Sequence, residues 1–215
     1  MILKKGFLIV FEGIDGSGKT TQARMLYDTL CKRHFDVILS KEPTDSIYGQ
    51  KIKELAQSER AFTSPEDEYK LFINDRKFHV ETLIRPALNE KKIVILDRYY
   101  FSTIAYQGAL GLDPEEIRSE NALFAPEPDL IFIINIQPGR GLNRIRDGRN
   151  EAPNLFEQEE SLRKVKEIFD SMKDSYIVRI DGEKSIADIH RDVLEITVKF
   201  IRHSLVDEKS PPDLS

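Results

Sequence analysis

The sequence predicts an α/β fold in three layers, a parallel sheet of about five strands with helices on both faces. Three observations predict it. Short apolar runs alternate along the chain with longer segments of helical period. The apolar runs are near-continuous rather than alternating, as strands buried on both faces must be. The length, 215 residues, corresponds to one domain at about 100–200 residues each, and a chain of this size buries enough surface to fold without a covalent or metal staple.

Phe7-Leu8-Ile9-Val10-Phe11 reads as the first buried strand. A glycine-rich turn follows it, then a helix with Ala23, Leu26, Tyr27 and Leu30 on one face. Val37-Ile38-Leu39 is a second short strand, and a weaker helix covers Ser46 to Ser58. Ser64-Pro65-Glu66-Asp67 is a helix start: an N-cap serine, proline at the first helical position, then acids in the first turn. That helix is expected to run to about Glu90. Ile93 to Leu96 and Leu130 to Ile136 are the third and fourth strands, and Tyr176-Ile177-Val178 with Ile180 makes the fifth. Ser185-Ile186-Ala187-Asp188 resembles a capping box. The helix behind it carries Ile186, Ile189, Val193, Ile196 and Phe200 at helical spacing. Residues 1–206 form one domain, and 207–215, with Pro211-Pro212, read as a frayed tail.

Hydrophobic residues are 40% of the chain and charged residues 32%, which excludes a disordered chain and a membrane span alike. No apolar run approaches the about 20 residues needed to cross a bilayer. The N-terminus lacks a long apolar segment and a small-residue cleavage site, so no signal peptide is expected. The single cysteine, Cys31, excludes an internal disulfide and a multi-cysteine zinc site and reads as a packing residue. Together these features predict a cytoplasmic protein with no membrane partner. A net charge of −5 argues against a nucleic-acid binder, and a phosphate-binding protein of this charge must gather its arginines locally.

Gly13-Ile14-Asp15-Gly16-Ser17-Gly18-Lys19-Thr20 matches G-x-x-x-x-G-K-[ST]. It follows the first strand and opens a helix, the context in which this loop cradles phosphate. The glycines let consecutive backbone N–H groups point at an anion, and the helix N-terminus adds its positive end. Lys19 is placed to reach β- and γ-phosphates, and Thr20 to give its hydroxyl to Mg²⁺. Asp97, at the end of the third strand, is the candidate second Mg²⁺ ligand. The guanine-reading Asn-Lys-x-Asp of a GTPase does not occur in the chain, and Asp-x-x-Gly occurs once, as Asp15 to Gly18 inside the phosphate loop itself, so no separate switch follows it. Arg98 follows Asp97 where a hydrolysing ATPase would carry a carboxylate, and a cation there suits a second phosphate better than water activation.

Arg76 falls inside the apolar stripe Tyr69, Phe72, Ile73, Val80, Leu83, Ile84 and Ala87. A buried arginine requires an anion. That anion is either an internal acid such as Glu42 or a substrate phosphate, with the Phe72 ring one turn away to stack a base. Residues 13–20, Lys41-Glu42-Pro43 and Asp97-Arg98-Tyr99 all lie at carboxyl ends of strands, where α/β sheets gather ligands. They predict a cleft for two phosphorylated ligands. His34, His79, His190 and His203 lack the close spacing of metal ligands and read as surface or helix residues.

These strings resemble the thymidylate kinases of the P-loop nucleoside-monophosphate kinase group. The resemblance rests on Phe11 to Thr21, on Glu42-Pro43, on Leu71-Phe72-Ile73-Asn74-Asp75-Arg76, and on the long run Asp97 to Gly108. In the C-terminal half it rests more loosely on Arg144-Ile145-Arg146, Phe156-Glu157 and Ile180-Asp181. Lys41 stands where the family commonly has arginine, and Thr44-Asp45-Ser46 replaces its common Gly-Gly-Thr.

The resemblance implies transfer of the γ-phosphoryl group of ATP to dTMP with Mg²⁺, in a homodimer. It implies an ATP loop made of Gly13, Ile14, Asp15, Gly16, Ser17, Gly18, Lys19, Thr20 and Thr21. It implies that Phe72 stacks on thymine, that Arg76 lies beside base and phosphate, and that Arg98 binds the acceptor phosphate. Thr103 and Gln107 would face the base edge, Tyr106 the deoxyribose and Asp15 the sugar 3′-hydroxyl, with Glu42 and Pro43 completing the acceptor side. Some thymidylate kinases carry an arginine just after the acidic residue of the loop, and here that position is Gly16. The catalytic charge is then expected from a lid over residues 139–154, through Arg146 or Arg149, with Arg144 facing solvent. Glu157, Glu159 and Glu160 read as a solvated face, a lid role staying open for Glu157. The rival readings are a kinase for another nucleotide or a nucleoside, separated by an acceptor panel, and a non-enzymatic ATP-binding regulator, separated by the absence of turnover.

Overall fold

The computed structural model describes residues 3–57, 64–147, 155–202 and 204–205. Among them five strands form one parallel sheet in the order β2-β3-β1-β4-β5: β1 is Phe7–Glu12, β2 Val37–Lys41, β3 Ile93–Asp97, β4 Leu130–Asn135 and β5 Ile177–Asp181. The strands expected from apolar runs are all present.

Strand side chains alternate between two cores. Leu8, Val10, Val94, Leu96, Ile131 and Ile133 face one side, packed against Ile84, Phe101, Ile117 and Phe169. Phe7, Ile9, Phe11, Ile95 and Phe132 face the other, packed against Leu26, Leu30, Ile189 and Val193. Helices α1 (Lys19–Lys32) and α9 (Ile186–Arg202) therefore cover one face. Helices α3 (Pro65–His79), α4 (Arg85–Asn89), α5 (Tyr100–Ala109), α6 (Pro114–Ala122) and α8 (Leu155–Ser171) belong to the other, which gives the three layers.

The Ser64 start behaves as expected, its hydroxyl accepting from the Asp67 N–H at 3.1 Å. The long helix expected from it follows the expected path but is not uniform. Residues Val80–Ile84 form a π-helical turn between α3 and α4, with the Arg85 N–H bonded to the Val80 carbonyl. Pro86 explains it: proline has no N–H to give and its ring presses on the preceding turn, and a wider turn relieves both. The weak helix is α2, Ile47–Gln57, and α7, Pro138–Asp147, occupies the start of the expected lid.

The parallel register aligns the carboxyl ends. Phe11 pairs with Asp97 and Lys41 with Asp97, so Glu12-Gly13, Asp97-Arg98 and Lys41-Glu42 stand in one row. The strand order reverses at β1, flanked by β3 and β4, which is where such sheets open a crevice.

Candidate active site

Residues 13–18 join β1 to α1. Gly13, Gly16 and Gly18 take φ of 135°, 76° and 99°, a region open to glycine. At Gly16 space is also closed: an added Cβ would stand 2.3 Å from the Gly141 carbonyl oxygen, and one at Gly141 would stand 2.5 Å from that of Asp15. The loop and the first turn of α7 meet backbone to backbone. Position 16 thus lacks a side chain because α7 occupies the space.

Lys19 Nζ donates to the Gly13 and Ile14 carbonyls at 2.9 and 2.8 Å. It is buried, and burial together with the Arg98 cation pushes its pKa down to about 7. The Thr20 hydroxyl donates to Asp97 Oδ2 at 2.5 Å, while Asp97 Oδ1 is buried with no hydrogen-bond partner. These groups, with Asp15, Gly16, Ser17, Gly18, Thr21, Arg98 and Arg144, line a cavity of about 540 Å³.

Arg98 sits at φ 74°, a conformation non-glycine residues rarely adopt outside constrained sites. Its N–H bonds to the Phe11 carbonyl at 3.0 Å. Its guanidinium donates to Ser102 Oγ at 3.0 Å, pairs with Asp15, and lies 5.1 Å from the Tyr106 ring centroid. Glu12 fixes the turn beneath. It accepts from the Tyr99 N–H at 2.8 Å and the Ser102 N–H at 3.1 Å, and from the Ser102 hydroxyl at 2.5 Å. Burial raises its pKa to about 7 against those hydrogen bonds. Sequence reading missed Glu12 as a positioning residue, although the signal was present: an acid closing an apolar run just before Gly13.

A second cavity, of about 150 Å³, is lined by Glu42, Pro43, Phe72, Arg76, Thr103, Tyr106 and Gln107, with Glu68, Tyr99, Ser102 and Arg98. An apolar cavity of that volume takes one benzene-sized ring. Every residue expected on the acceptor side lines it except Asp15, which belongs to the larger cavity and meets it through Arg98. Arg76 is held by the protein: Nε donates to Glu42 at 2.8 Å, Nη1 to Asn121 Oδ1 at 2.7 Å and Nη2 to Thr103 Oγ1 at 2.9 Å. The internal ion pair is therefore real, and it forms part of the cavity wall. His79 belongs to the same network. It is a helix residue but not a surface one, and its ring bonds Glu42 Oε1 at 3.1 Å and Ser40 Oγ at 2.9 Å. Where the chain departs from Gly-Gly-Thr, Asp75 secures the loop, accepting from the Thr44 N–H at 2.8 Å, Thr44 Oγ1 at 2.5 Å and Ser46 Oγ at 2.6 Å.

The expected lid is only partly within the described residues. Arg144 does not face solvent. It is half-buried and donates to the Gly16 and Gly182 carbonyls at 3.3 and 3.1 Å, because the Gly16–Gly141 contact brings α7 against the loop. Arg146 is exposed at the end of α7. Residues 148–154, Arg149 among them, and the Glu157 side chain lie outside the described residues. Glu160 pairs with Arg163 at 3.0 Å. No described helix is long and apolar enough to cross a membrane.

Known proteins resemble this chain over most of its length. A family model described as "Thymidylate kinase" matches residues 11–193. A curated thymidylate kinase of Desulfotalea psychrophila is 48% identical over 189 residues, 88% of this chain and 93% of that one. One from Xanthomonas oryzae pv. oryzae is 42% identical over 208 residues, covering 97% and 90%. One from Brachyspira hyodysenteriae is 43% identical over 195 residues, covering 91% and 94%. The family match runs from the end of β1 into the first half of α9 and takes in both cavities: the chain belongs to the thymidylate kinase family and is a phosphotransferase.

Proposed function

We propose that this chain transfers the γ-phosphoryl group of ATP to dTMP, giving ADP and dTDP. One observation carries the reading: Arg98 lines both the phosphate-loop cavity and the ring-sized cavity. A single guanidinium thereby stands where a nucleotide donor and a phosphorylated acceptor would meet.

In this reading the pyrimidine lies in the smaller cavity against Phe72, its edge toward Thr103 and Gln107. Tyr106 and Asp15 flank the sugar, and Arg98 receives the acceptor phosphate. The ATP phosphates lie along residues 13–20. Lys19 leaves the Gly13 and Ile14 carbonyls to meet them and regains a full positive charge there. An acceptor phosphate oxygen attacks the γ-phosphorus in line, and the bond to the β–γ bridging oxygen breaks. No general base is needed, since the second pKa of such a phosphate is about 6. Thr20 and Asp97 suit Mg²⁺, a hard ion that takes oxygen ligands and keeps waters and substrate phosphates as partners. The orphaned Asp97 Oδ1 is the observation that fits it. When bound, the ion neutralises charge on the donor phosphates.

Residues 139–154 are proposed as the lid that excludes water from the γ-phosphate, with Arg146 or Arg149 adding positive charge. A cytoplasmic homodimer is the proposed setting, cytoplasmic on the composition and cysteine count and dimeric on the family resemblance alone. The test is turnover of ATP and Mg²⁺ with a panel of nucleoside monophosphates and with thymidine. The reading requires dTMP to be the preferred acceptor, and a preference for another acceptor would overturn it.

A further inference from the structure

We propose that Glu183 is a positioning residue for donor binding: from the loop between β5 and α9 it caps the start of α7, and so seats α7 against the phosphate loop. The proposal rests on the reading that residues 13–20 receive the ATP phosphates.

Helix α7 starts on a weak sequence, Gln137-Pro138-Gly139-Arg140-Gly141. Pro138 suits the first helical position, but the rest of the start does not favour a helix. Two glycines in one turn cost helix stability relative to alanine, and the helix spans only 10 residues, too few to hold by themselves in water. Gln137 accepts the first helical bonds, from the Arg140 and Gly141 N–H groups at 3.0 and 3.1 Å, yet glutamine is not one of the side chains that cap well. The first turn carries no acid. At least one glycine cannot be replaced to mend this, because a Cβ at Gly141 would stand 2.5 Å from the Asp15 carbonyl oxygen. The contact with the phosphate loop thus demands a residue that weakens the helix making it.

Glu183 supplies what the helix lacks. Its Oε1 accepts from the Gln137 N–H at 3.0 Å, and its Oε2 pairs with Arg140 at 2.6 Å. A carboxylate at that end also meets the positive pole of the helix. The loop that carries it is itself fixed. The Glu183 N–H donates to Asp181 Oδ1 at 3.0 Å, and the Gly182 N–H donates to the Asn135 carbonyl at 2.8 Å. A Cβ at Gly182 would stand 2.6 Å from Ile136 Cγ2 and 2.7 Å from Ile134 Cγ2, so the loop lies flat on the end of β4. One turn after Arg140, Arg144 ties α7 to the Gly182 carbonyl and to the Gly16 carbonyl. Residues 182–183 therefore hold α7 on one side while it supports residues 15–16 on the other. Asp15 in turn pairs with Arg98.

Glu183 acts through α7 rather than on the nucleotide. Among the described residues, this loop gives Lys184, not Glu183, to the lining of the larger cavity. Its ion pair is also poorly placed to support the fold, with side-chain exposures of 50% for Arg140 and 35% for Glu183, where such pairs add little stability. Loss of Glu183 should therefore show in donor affinity more than in unfolding.

The experiment measures the Kd of Mg-ATP by titration, with kcat and the KM of ATP and dTMP, for the full chain as wild type, Glu183→Ala, Glu183→Gln, Arg140→Ala, Arg144→Ala and the Glu183→Ala/Arg144→Ala double variant. Glu183→Ala should weaken ATP at least fivefold in Kd and KM, with KM for dTMP within twofold and the melting temperature within about 4 °C of wild type. Glu183→Gln keeps an acceptor for the Gln137 N–H and should bind ATP within twofold of wild type. Arg140→Ala removes only the half-exposed ion pair and should do the same. Because Glu183 and Arg144 act through one seat of α7, the double variant should lose less than the product of the two single losses. If Glu183→Ala unfolds at a much lower temperature, Glu183→Met, which keeps the length without an acceptor, takes its place. Wild-type ATP affinity in these variants would overturn the proposal. So would a Glu183→Gln variant as weak as Glu183→Ala, an equal loss for dTMP, or a double variant that loses the full product. If wild type itself fails to bind Mg-ATP, the reading of the phosphate loop falls first and the proposal with it.

Discussion

Arg76 and Glu42 form an ion pair at 2.7 Å with side-chain exposures of 1% and 3%. The pair joins α3 to the end of β2 and forms one wall of the ring-sized cavity. Two charges so placed attract strongly, and each is expensive to leave alone. Asn121, Thr103 and His79 take up further hydrogen bonds from the pair, so the wall is held from three directions.

Removing Glu42 should therefore affect stability and acceptor binding together. Glu42→Ala leaves a buried guanidinium without its anion and is expected to lower unfolding free energy by about 3–5 kcal/mol, read from urea midpoints. KM for dTMP should rise while KM for ATP stays near its wild-type value. Arg76→Ala should show the same double signature. A fall in melting temperature with no selective acceptor defect would mean that the pair serves the core alone.

Phe72→Ala should weaken dTMP by about 1–3 kcal/mol, the range of base–aromatic stacking, and leave ATP unaffected. Phe72 is half-buried and lines the ring-sized cavity, so its loss should disturb the core little. Equilibrium titration with each nucleotide separately is the check. A loss confined to ATP would place the acceptor elsewhere.

Lys19 gives a pH prediction. Its pKa of about 7 without ligand leaves it mostly neutral at pH 8. Phosphate beside it stabilises the charged form and raises the pKa, so binding must take up a proton. Calorimetry at pH 8 in buffers of different ionisation enthalpy should show net uptake on ATP binding, absent in Lys19→Ala. ATP affinity should weaken as pH rises above 7. Proton release, or a pH-independent affinity, would contradict the assigned burial of this lysine.

Gly16→Ala tests the contact between loop and α7. A Cβ there meets backbone at 2.3 Å and a φ of 76°, so the loop, α7 or both must shift. ATP binding should fall more than tenfold, with a lower melting temperature. Arg144→Ala removes donors to the Gly16 and Gly182 carbonyls without forcing a backbone shift. It should raise KM for ATP with a smaller effect on stability. Wild-type ATP affinity in both variants would separate α7 from the site.

Much of the fold was legible because its signals are local. Each strand is a contiguous apolar run, the phosphate loop is one contiguous string, and Ser64-Pro65 announces α3 by itself. Asp113-Pro114-Glu115-Glu116 carries the same start signal, with Asp113 Oδ1 accepting from the Glu115 N–H at 2.8 Å, and sequence reading passed over it. Helix α5 was missed for another reason: Tyr100 to Ala105 are buried all round, so no amphipathic period marks them. The Arg76 partners were only partly foreseeable. Glu42 could be guessed as an acid at a strand end, but Asn121 is 45 positions away and nothing local points to it. His79 and Glu12 look like ordinary polar residues until the register of the sheet places them beside Glu42 and Tyr99. The loop at Thr44-Asp45-Ser46 read as a departure from the family pattern, and Asp75, 31 positions on, is what shows how it is held.

In the proposed function the phosphate loop and the Arg98-linked cavity work together on one transfer. The direct measurement is the initial rate of dTDP formation from ATP, Mg²⁺ and dTMP by purified wild type and Lys19→Ala, with ADP measured in parallel. Wild type should give ADP and dTDP in equal amounts, and a Lys19→Ala variant that unfolds at nearly the same temperature should form dTDP at least a hundredfold more slowly. ADP released without dTDP, or dTDP formed at an undiminished rate by Lys19→Ala, would contradict it.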